Sequence, residues 1–320
     1  MAPEIQRLHL WLVVNPAASS VTDKKRRIVR EALAGHDVKE VETTERDDAT
    51  RLAREAAEAG ADAVVLYGGD GTANEAANGL LGTDTALAPL PGGSTNVFTR
   101  TLGLAPRAPA AAAQVADALA RGSRRRIPVG TANGRAFLFH VGVGFDAAVV
   151  AQVERRPTLK RKLGQAIFVY AAFATWLGHF DHRSPGFALE FDDGTVIGDG
   201  YFSILLNTNP YTYLGPRALN VAPGADGEGG LTAVTLRTLK VHSLLGVTGR
   251  ALGKGDRVAR HPRVDHRRHV PRITVRGHRP VPWQADGDYL GETEHLVVSQ
   301  SPERLAVVVP GESLPPPAPG

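Results

Sequence analysis

The stretch from Ala63 to Leu81 restricts the fold more than any other part of this chain. Ala63-Val64-Val65-Leu66-Tyr67 is apolar at every position, the pattern of a strand covered on both faces. Gly68-Gly69-Asp70-Gly71-Thr72 follows directly, and then Ala73, Ala76, Ala77, Leu80 and Leu81 recur at helical spacing. Strand, glycine turn and helix in that order is the context in which a glycine-rich loop holds phosphate. Glycines let backbone N–H groups approach an anion, and the helix N-terminus adds positive potential. A purely structural reading competes, because Thr72 and Glu75 have the Thr-x-x-Glu spacing of a capping box. Three glycines in five residues exceed what a cap requires. Asp70 is out of place beside phosphate unless a cation lies between them, which points to Mg2+.

The neighbouring sequence repeats the alternation. Residues 8–14 (LHLWLVV) read as a strand ended by Asn15-Pro16. Residues 23–34 read as a helix with Ile28, Val29, Ala32 and Leu33 on one side, 38–41 as a strand and 48–59 as a helix closed by Gly60. A further strand, 86–90, leads into Pro91-Gly92-Gly93-Ser94-Thr95-Asn96. Strands and helices alternating at these lengths predict a doubly wound parallel sheet, in which ligands sit at the strand carboxyl ends. Both glycine loops and Asn15 then share one edge. Ser94, Thr95 and Asn96 offer donors to phosphate oxygens, and Asn96 stands where a nucleophile elbow needs its second glycine. Together the two loops predict a nucleotide site.

Near residue 125 the pattern changes. Asn133-Gly134 is a hairpin signal, and, apart from helical stretches at about 146–156 and 160–177, the remainder reads as short β segments such as 187–191, 201–206, 231–236 and 273–275. The expected organisation is α/β: a doubly wound parallel-sheet nucleotide-binding domain over 1–127, a β-rich sandwich domain over 128–312 and a proline-rich tail over 313–320. The length of 320 residues suits two domains. With no cysteine, a disulfide scaffold, thiolate catalysis and Cys-ligated metal sites are excluded. Against 33 Asp and Glu there are 37 Lys and Arg, and the net charge of +4 is too small to indicate a nucleic-acid partner. The longest apolar-rich stretch, 165–178, is shorter than the ~20 residues that cross a bilayer. No basic n-region or cleavage site marks the N-terminus, so a soluble cytoplasmic chain is expected.

Asn15-Pro16, the glycine–aspartate loop, PGGSTNVFTRTLG (91–103), GVGFDA (142–147) and Asp286-Gly287-Asp288 follow one another over nearly the whole chain. In this order they resemble the diacylglycerol kinase catalytic-domain family, which includes bacterial lipid kinases and sphingosine kinases. The first glycine loop alone is shared with NAD kinases and phosphofructokinases; the combination is more specific. The resemblance implies ATP-dependent, Mg2+-assisted phosphoryl transfer to a lipid hydroxyl, with ATP between the two domains. Carried over by position, Asn15 and Thr43 are nucleotide contacts, and Gly68, Gly69, Asp70, Gly71, Thr72 and Glu75 form the phosphate loop. Ser94 and Asn96 belong to the second loop, with Ser94 where family members usually have threonine. Asp288 aligns with the acidic residue, commonly Glu, that accepts the proton in bacterial members, and is one methylene shorter. Asp146 matches an aspartate near the acceptor. Val97 departs from an aspartate common after the loop asparagine. Glu228, in Asp226-Gly227-Glu228-Gly229-Gly230-Leu231, is the counterpart of an acidic loop that holds a structural Mg2+. From spacing alone, Asp146 reads as a helix N-cap and Asp286-Gly287-Asp288 as a hairpin turn.

Basic runs at Arg155-Arg156, Lys160-Arg161-Lys162 and 257–279 are ordinarily solvated surface. On a lipid kinase they are candidate contacts to anionic headgroups, at about 1 kcal/mol per cation, and imply peripheral contact at the inner membrane face. Phe168, Tyr170, Phe173 and Trp176 read as core, and His261, His266 and His269 lack metal-ligand spacing. Three functions stand at this point: a lipid kinase at the membrane surface, a soluble-substrate kinase of the NAD kinase type, and a nucleotide-binding accessory protein without catalysis. Asp288 in place of Glu, and Val97, keep the last open. Oligomeric state has no signature in the sequence.

Overall fold

The computed structural model describes residues 7–154 and 184–311. The expected helix over 160–177 with its aromatic residues, the basic runs at 155–156 and 160–162, and the tail from 313 lie outside the described residues. The chain divides into two compact units: residues up to Pro128 together with those from Pro302 on, and Val129–Ser301.

In the first unit β1 (His9–Val14), α1 (Asp23–Ala32), β2 (Asp37–Glu42), α2 (Asp48–Glu58), β3 (Ala63–Gly68), α3 (Asp70–Leu80) and β4 (Ala86–Pro91) alternate as the periodicity predicts. The strands pair in the order β4-β3-β1-β2, all parallel. β1, β3 and β4 are buried almost throughout, whereas β2, with the sequence DVKEVE, keeps charged residues as a sheet edge should. From β1 the chain steps out to β2 and then crosses back past β1 to β3. The strand order therefore reverses between β1 and β3, the kind of point where ligands bind in such sheets. Two short-range features escape the periodicity: α4 (Val97–Thr101) and the alanine-rich α5 (Ala108–Ala120), which packs against α1.

The sequence division assigns everything up to 312 to the second domain; the structure returns the end of the chain to the first. β16 (Asp288–Val308) ends in Leu305-Ala306-Val307-Val308, all buried, and Val307 pairs in parallel with Leu87 of β4. An apolar strand end next to a parallel edge buries both, which is the physical reason for the return.

The second unit is β-rich and antiparallel. Its strands β7 (His140–Gly144), β10 (Phe202–Leu206), β13 (Leu231–Leu236), β14 (Val264–Val270) and β15 (Arg272–Ala285) run in the order β14-β13-β10-β7-β15-β16. β8 (Phe187–Phe191) pairs with β15 and with β9 (Val196–Gly200), while β5 (Arg124–Ala132) and β6 (Arg135–Phe137) form a hairpin. A small hairpin joins β11 (Thr212–Leu214) to β12 (Arg217–Leu219). The expected turn occurs where Asn133-Gly134 supplies positive φ, and Gly194, also at positive φ, turns β8 into β9. Two expectations are corrected. β15 and β16 are long strands of 14 and 21 residues, not short segments. The interruptions at Gly277 and Pro280 that break the pattern sit in a register shift between Arg276 and Val281. The region also contains a helix after β13, here α7 (Val241–Ala251), besides α6 (Phe145–Glu154). β10 is buried on both faces: Leu205 joins the core of Phe137, Phe187 and Ile273, while Ile204 and Leu206 join a second cluster with Val234, Ala251 and Val258.

In the first unit α2 and α3 approach closely because Gly79 has no side chain: a Cβ there would lie 2.3 Å from the Thr50 carbonyl oxygen and 3.0 Å from the Ala53 Cβ. Gly79→Ala is expected to destabilise the protein by about 1–2 kcal/mol. The overpacking cost of about 1–3 kcal/mol outweighs the helix-propensity gain of about 1 kcal/mol. Urea unfolding checks the sign, since on propensity alone the midpoint would rise.

Candidate active site

Every predicted nucleotide residue of the first unit except Glu75 lies at or beside the carboxyl ends of its strands, and hydrogen bonds tie the loops together. The Asn15 amide, leaving β1, donates to the Tyr67 carbonyl of β3 (2.9 Å), and the Asn15 Nδ2 donates to Thr72 Oγ1 (2.9 Å). Thr43 leaves β2 buried, its amide donating to the Val14 carbonyl (2.9 Å). The next turn is held by Asp48, whose carboxylate accepts from the Thr44 amide and hydroxyl and from the Glu45 amide. These bonds and Arg51 keep its carboxyl well below the usual carboxylate range.

The two glycine loops meet backbone to backbone. The Gly92 amide donates to the Gly68 carbonyl (2.7 Å). A Cβ on Gly92 would lie 2.9 Å from the Gly68 backbone, and one on Gly93 2.9 Å from the Gly69 Cα. Glycine is therefore required here by the neighbouring loop, independently of any ligand. Asp70 reaches across the same junction: its two carboxylate oxygens accept the Val97 and Phe98 amides (2.9 and 3.0 Å), capping α4. Asn96 adopts the left-handed conformation (φ 51°) and bonds back to both the amide and the carbonyl of Gly93, which fixes the second loop and leaves Ser94 exposed. Ser20, which the motifs do not include, stitches the β1 loop to the second glycine loop through its amide (to the Gly92 carbonyl, 2.8 Å) and hydroxyl (to the Gly93 carbonyl, 3.2 Å).

Two local expectations are corrected. α3 begins at Asp70 with Gly69 as its N-cap, so Thr72 is already inside the helix and does not form a capping box with Glu75. Glu75 instead points to the neighbouring helix, where its carboxylate accepts the Ala49 amide of α2 (3.3 Å). Likewise α6 begins at Phe145, so Asp146 is not its N-cap.

In the second unit Asp286-Gly287 forms a two-residue turn with positive φ at both positions (50° and 87°), joining β15 to β16 and placing half-buried Asp288 opposite Ala285. Asp286 is the anchor. Its buried carboxylate accepts the amides of Leu138 (2.6 Å), Phe139 (2.9 Å) and His140 (3.1 Å). A second tie comes from buried Gln284, whose Oε1 accepts the Gly287 amide (2.8 Å) and whose Nε2 donates to Asp146 (2.7 Å). The other Asp146 oxygen accepts the Tyr211 hydroxyl. GVGFDA is shaped around this bridge: a Cβ on Gly142 would lie 1.6 Å from the Asp146 carboxylate, and Gly144 has the positive φ (77°) that turns β7 into α6. Burial raises the Asp146 carboxyl against the opposing pull of its two donors, and raises the Tyr211 hydroxyl as well. His140 packs against Tyr211 with ring centroids 4.5 Å apart and planes tilted by 48°, and burial lowers its ring to about 3, which keeps it neutral.

A family model for the diacylglycerol kinase catalytic domain matches residues 9–132. A Pseudomonas aeruginosa (strain UCBPP-PA14) protein named "Probable lipid kinase YegS-like" is 30% identical over 306 residues, covering 94% of each chain. The chain belongs to the diacylglycerol kinase catalytic-domain family. This lipid kinase also shares its fold with a solved diacylglycerol kinase of Bacillus anthracis str. Sterne, at TM-score 0.70 and 20% identity over 96% of this chain and 98% of that one. An NAD kinase of Archaeoglobus fulgidus in complex with ATP is more distant, at TM-score 0.51 and 12% identity over 95% and 94%.

Membership in a kinase family implies ATP use. Among the described residues of the lipid kinase no three His, Asp or Glu side chains cluster into a metal site made by the protein alone. Asp70 already turns both oxygens to amides, and Glu228 is exposed in its loop, where its amide donates to Asp226 (3.0 Å). No helix among the described residues is long and apolar enough to cross a membrane.

Sequence reasoning missed Ser20, Gln284 and Tyr211 because each bonds a side chain or loop far along the chain: Ser20 to Gly93, Tyr211 and Gln284 to Asp146. His140 supplies a test of the buried network. Its folded ring is depressed from 6.5 to about 3, so its contribution to stability is complete above pH 6.5 and lost as the pH falls toward 3. At the steepest this loss is about 1.4 kcal/mol per pH unit. His140→Phe, which packs but cannot ionise, is expected to flatten that part of the acid limb in urea midpoints measured against pH.

Proposed function

We propose that this lipid kinase transfers the γ-phosphoryl group of ATP to the hydroxyl of a diacylglycerol-like lipid. The observation that carries the reading is the junction of Gly68-Gly69 with Gly92-Gly93 between β3 and β4, next to the strand-order reversal at β1 and β3. There α3 begins directly after β3, so its N-terminal dipole and the two glycine loops lie together at the strand carboxyl ends, where an anionic triphosphate is favoured. Asn15, Thr43 and Thr72 line the same edge and would position the nucleotide. The family model and the Bacillus anthracis structure, both described as diacylglycerol kinase, support the acceptor class.

Phosphoryl transfer has a loose transition state, so the protein contributes alignment and charge stabilisation more than bond chemistry. The lipid hydroxyl oxygen attacks the γ-phosphorus as the bond to the β–γ bridging oxygen breaks, and ADP leaves. Asp288 accepts the hydroxyl proton. A carboxylate on a rigid two-residue turn, anchored through Asp286 and Gln284, loses little freedom when it does so.

Asp288→Asn is expected to lower kcat about 10²–10⁴-fold while calorimetry shows unchanged ATP affinity; a variant with normal kcat defeats the assignment. Gly92→Ala, which forces the two loops apart, is expected to weaken ATP binding about tenfold or more. The reading as a whole is tested by radiolabelled ATP on mixed micelles with a diacylglycerol, ceramide and sphingoid panel, the product being identified by mass. Labelled phosphate on NAD and on no lipid would replace it with the soluble-substrate reading. Tight ATP binding without turnover on any acceptor would replace it with the accessory-protein reading.

A further inference from the structure

α7 is amphipathic in an unusual sense. Ser243 and Ala251 are buried and Val247 packs on the cluster of Ile204, Leu206 and Val258, so this side of the helix belongs to the core. At 3.6 residues per turn, Val241, Leu245, Thr248 and Leu252 fall on the opposite side. That side faces solvent, with Leu245 63%, Leu252 38% and Val241 37% exposed. A helix in water ordinarily puts charge on this face. Three of the four exposed large apolar side chains among the described residues instead sit here in one line.

The line is bordered by cations. Lys240 precedes the helix, and Lys254, Arg257 and Arg260 follow it, all exposed; none forms an ion pair among the described residues. Residues 240–263 contain six Lys or Arg and a single carboxylate, Asp256. An apolar stripe bordered by unpaired cations is complementary to a surface that is anionic at its boundary and apolar just beneath. An anionic lipid bilayer has that order; a neutral protein groove does not.

We propose that the outward face of α7 is the element that docks this protein on anionic membranes, with Leu245 entering the acyl boundary and Lys254 and Arg257 on the headgroups. The inference deepens the lipid-kinase reading and rests on it for its purpose, but its test does not depend on catalysis. The full chain is sedimented with phosphatidylcholine vesicles, with and without phosphatidylglycerol and free of any acceptor lipid. Binding is expected only with the anionic lipid and is expected to weaken with salt. Leu245→Glu is expected to lower the partition coefficient about tenfold or more, and Lys254→Gln or Arg257→Gln about fivefold each. Val196→Glu, at an exposed valine of β9, should leave it unchanged. Leu245→Trp should keep binding and shift its fluorescence to the blue on anionic vesicles alone, which shows a folded protein and an inserted side chain.

Undiminished partitioning of Leu245→Glu overturns the proposal. So does a dimer seen by light scattering that Leu245→Glu dissolves, since the stripe would then be a self-association face. Assays on detergent-dispersed diacylglycerol separate the two readings. Loss of docking by Leu245→Glu in a protein that phosphorylates no lipid upholds the surface and sinks the kinase. Full activity together with undiminished docking of the variant does the reverse.

Discussion

The contact of one glycine loop with the other, backbone on backbone, is the constraint from which the rest of the first unit follows. With Gly92 held 2.7 Å from Gly68 by a main-chain hydrogen bond, β3 and β4 must end level, and no side chain can intervene at either junction. The polypeptide leaving β4 then passes close enough to the start of α3 for Asp70 to cap α4, whose own side chains offer its amides no cap. Ser20 and Asn15 tie the first strand's loop to the same junction. Four chain segments are thereby over-determined by short hydrogen bonds, the condition under which a strained residue such as left-handed Asn96 persists.

This arrangement changes what the glycines and Asp70 say about ligands. Glycine density in the loops is evidence for phosphate only to the extent that nothing else requires it: the facing loop requires Gly92 and Gly93, and Thr72 crowds a Cβ on Gly68 (2.9 Å), whereas one on Gly69 would meet Gly93 at only 3.4 Å. A carboxylate beside an anion site reads as a metal ligand until its partners are known; with two amides on its oxygens it is a cap. The case for a triphosphate therefore rests on position, next to the strand-order reversal with two loops converging, and on family membership, rather than on composition of the loop.

How much was legible in the sequence follows from the range over which each signal acts. β3, β4 and the helices between them are written in periodicity, and the turns at Asn133-Gly134 and Asp286-Gly287 in residues that accept positive φ. Signals that act within a turn were misread where a longer-range partner competed: Thr72 and Glu75 have capping-box spacing, but Asn15 and Ala49 claim them. α7 escaped notice because its exposed face is apolar and it carries Gly246 and Gly249, which erases the polar stripe and lowers propensity. The return of residues 305–308 to the first sheet has no local signature at all, since an apolar strand end does not specify which sheet it joins.

The second unit applies the same logic to the turn before Asp288. Around that turn, burial favours the neutral form of three titratable side chains: His140 loses its proton readily, and Asp146 holds its own more tightly than in water. Tyr211, pushed upward, stays a donor. The hydrogen bonds among Asp146, Gln284 and Tyr211 offset the cost of removing these groups from water. Asp286 completes the arrangement from the turn itself, its carboxylate accepting three consecutive amides. The turn is thus held by hydrogen bonds to buried Asp286 and Gln284, with half-buried Asp288 just beyond it.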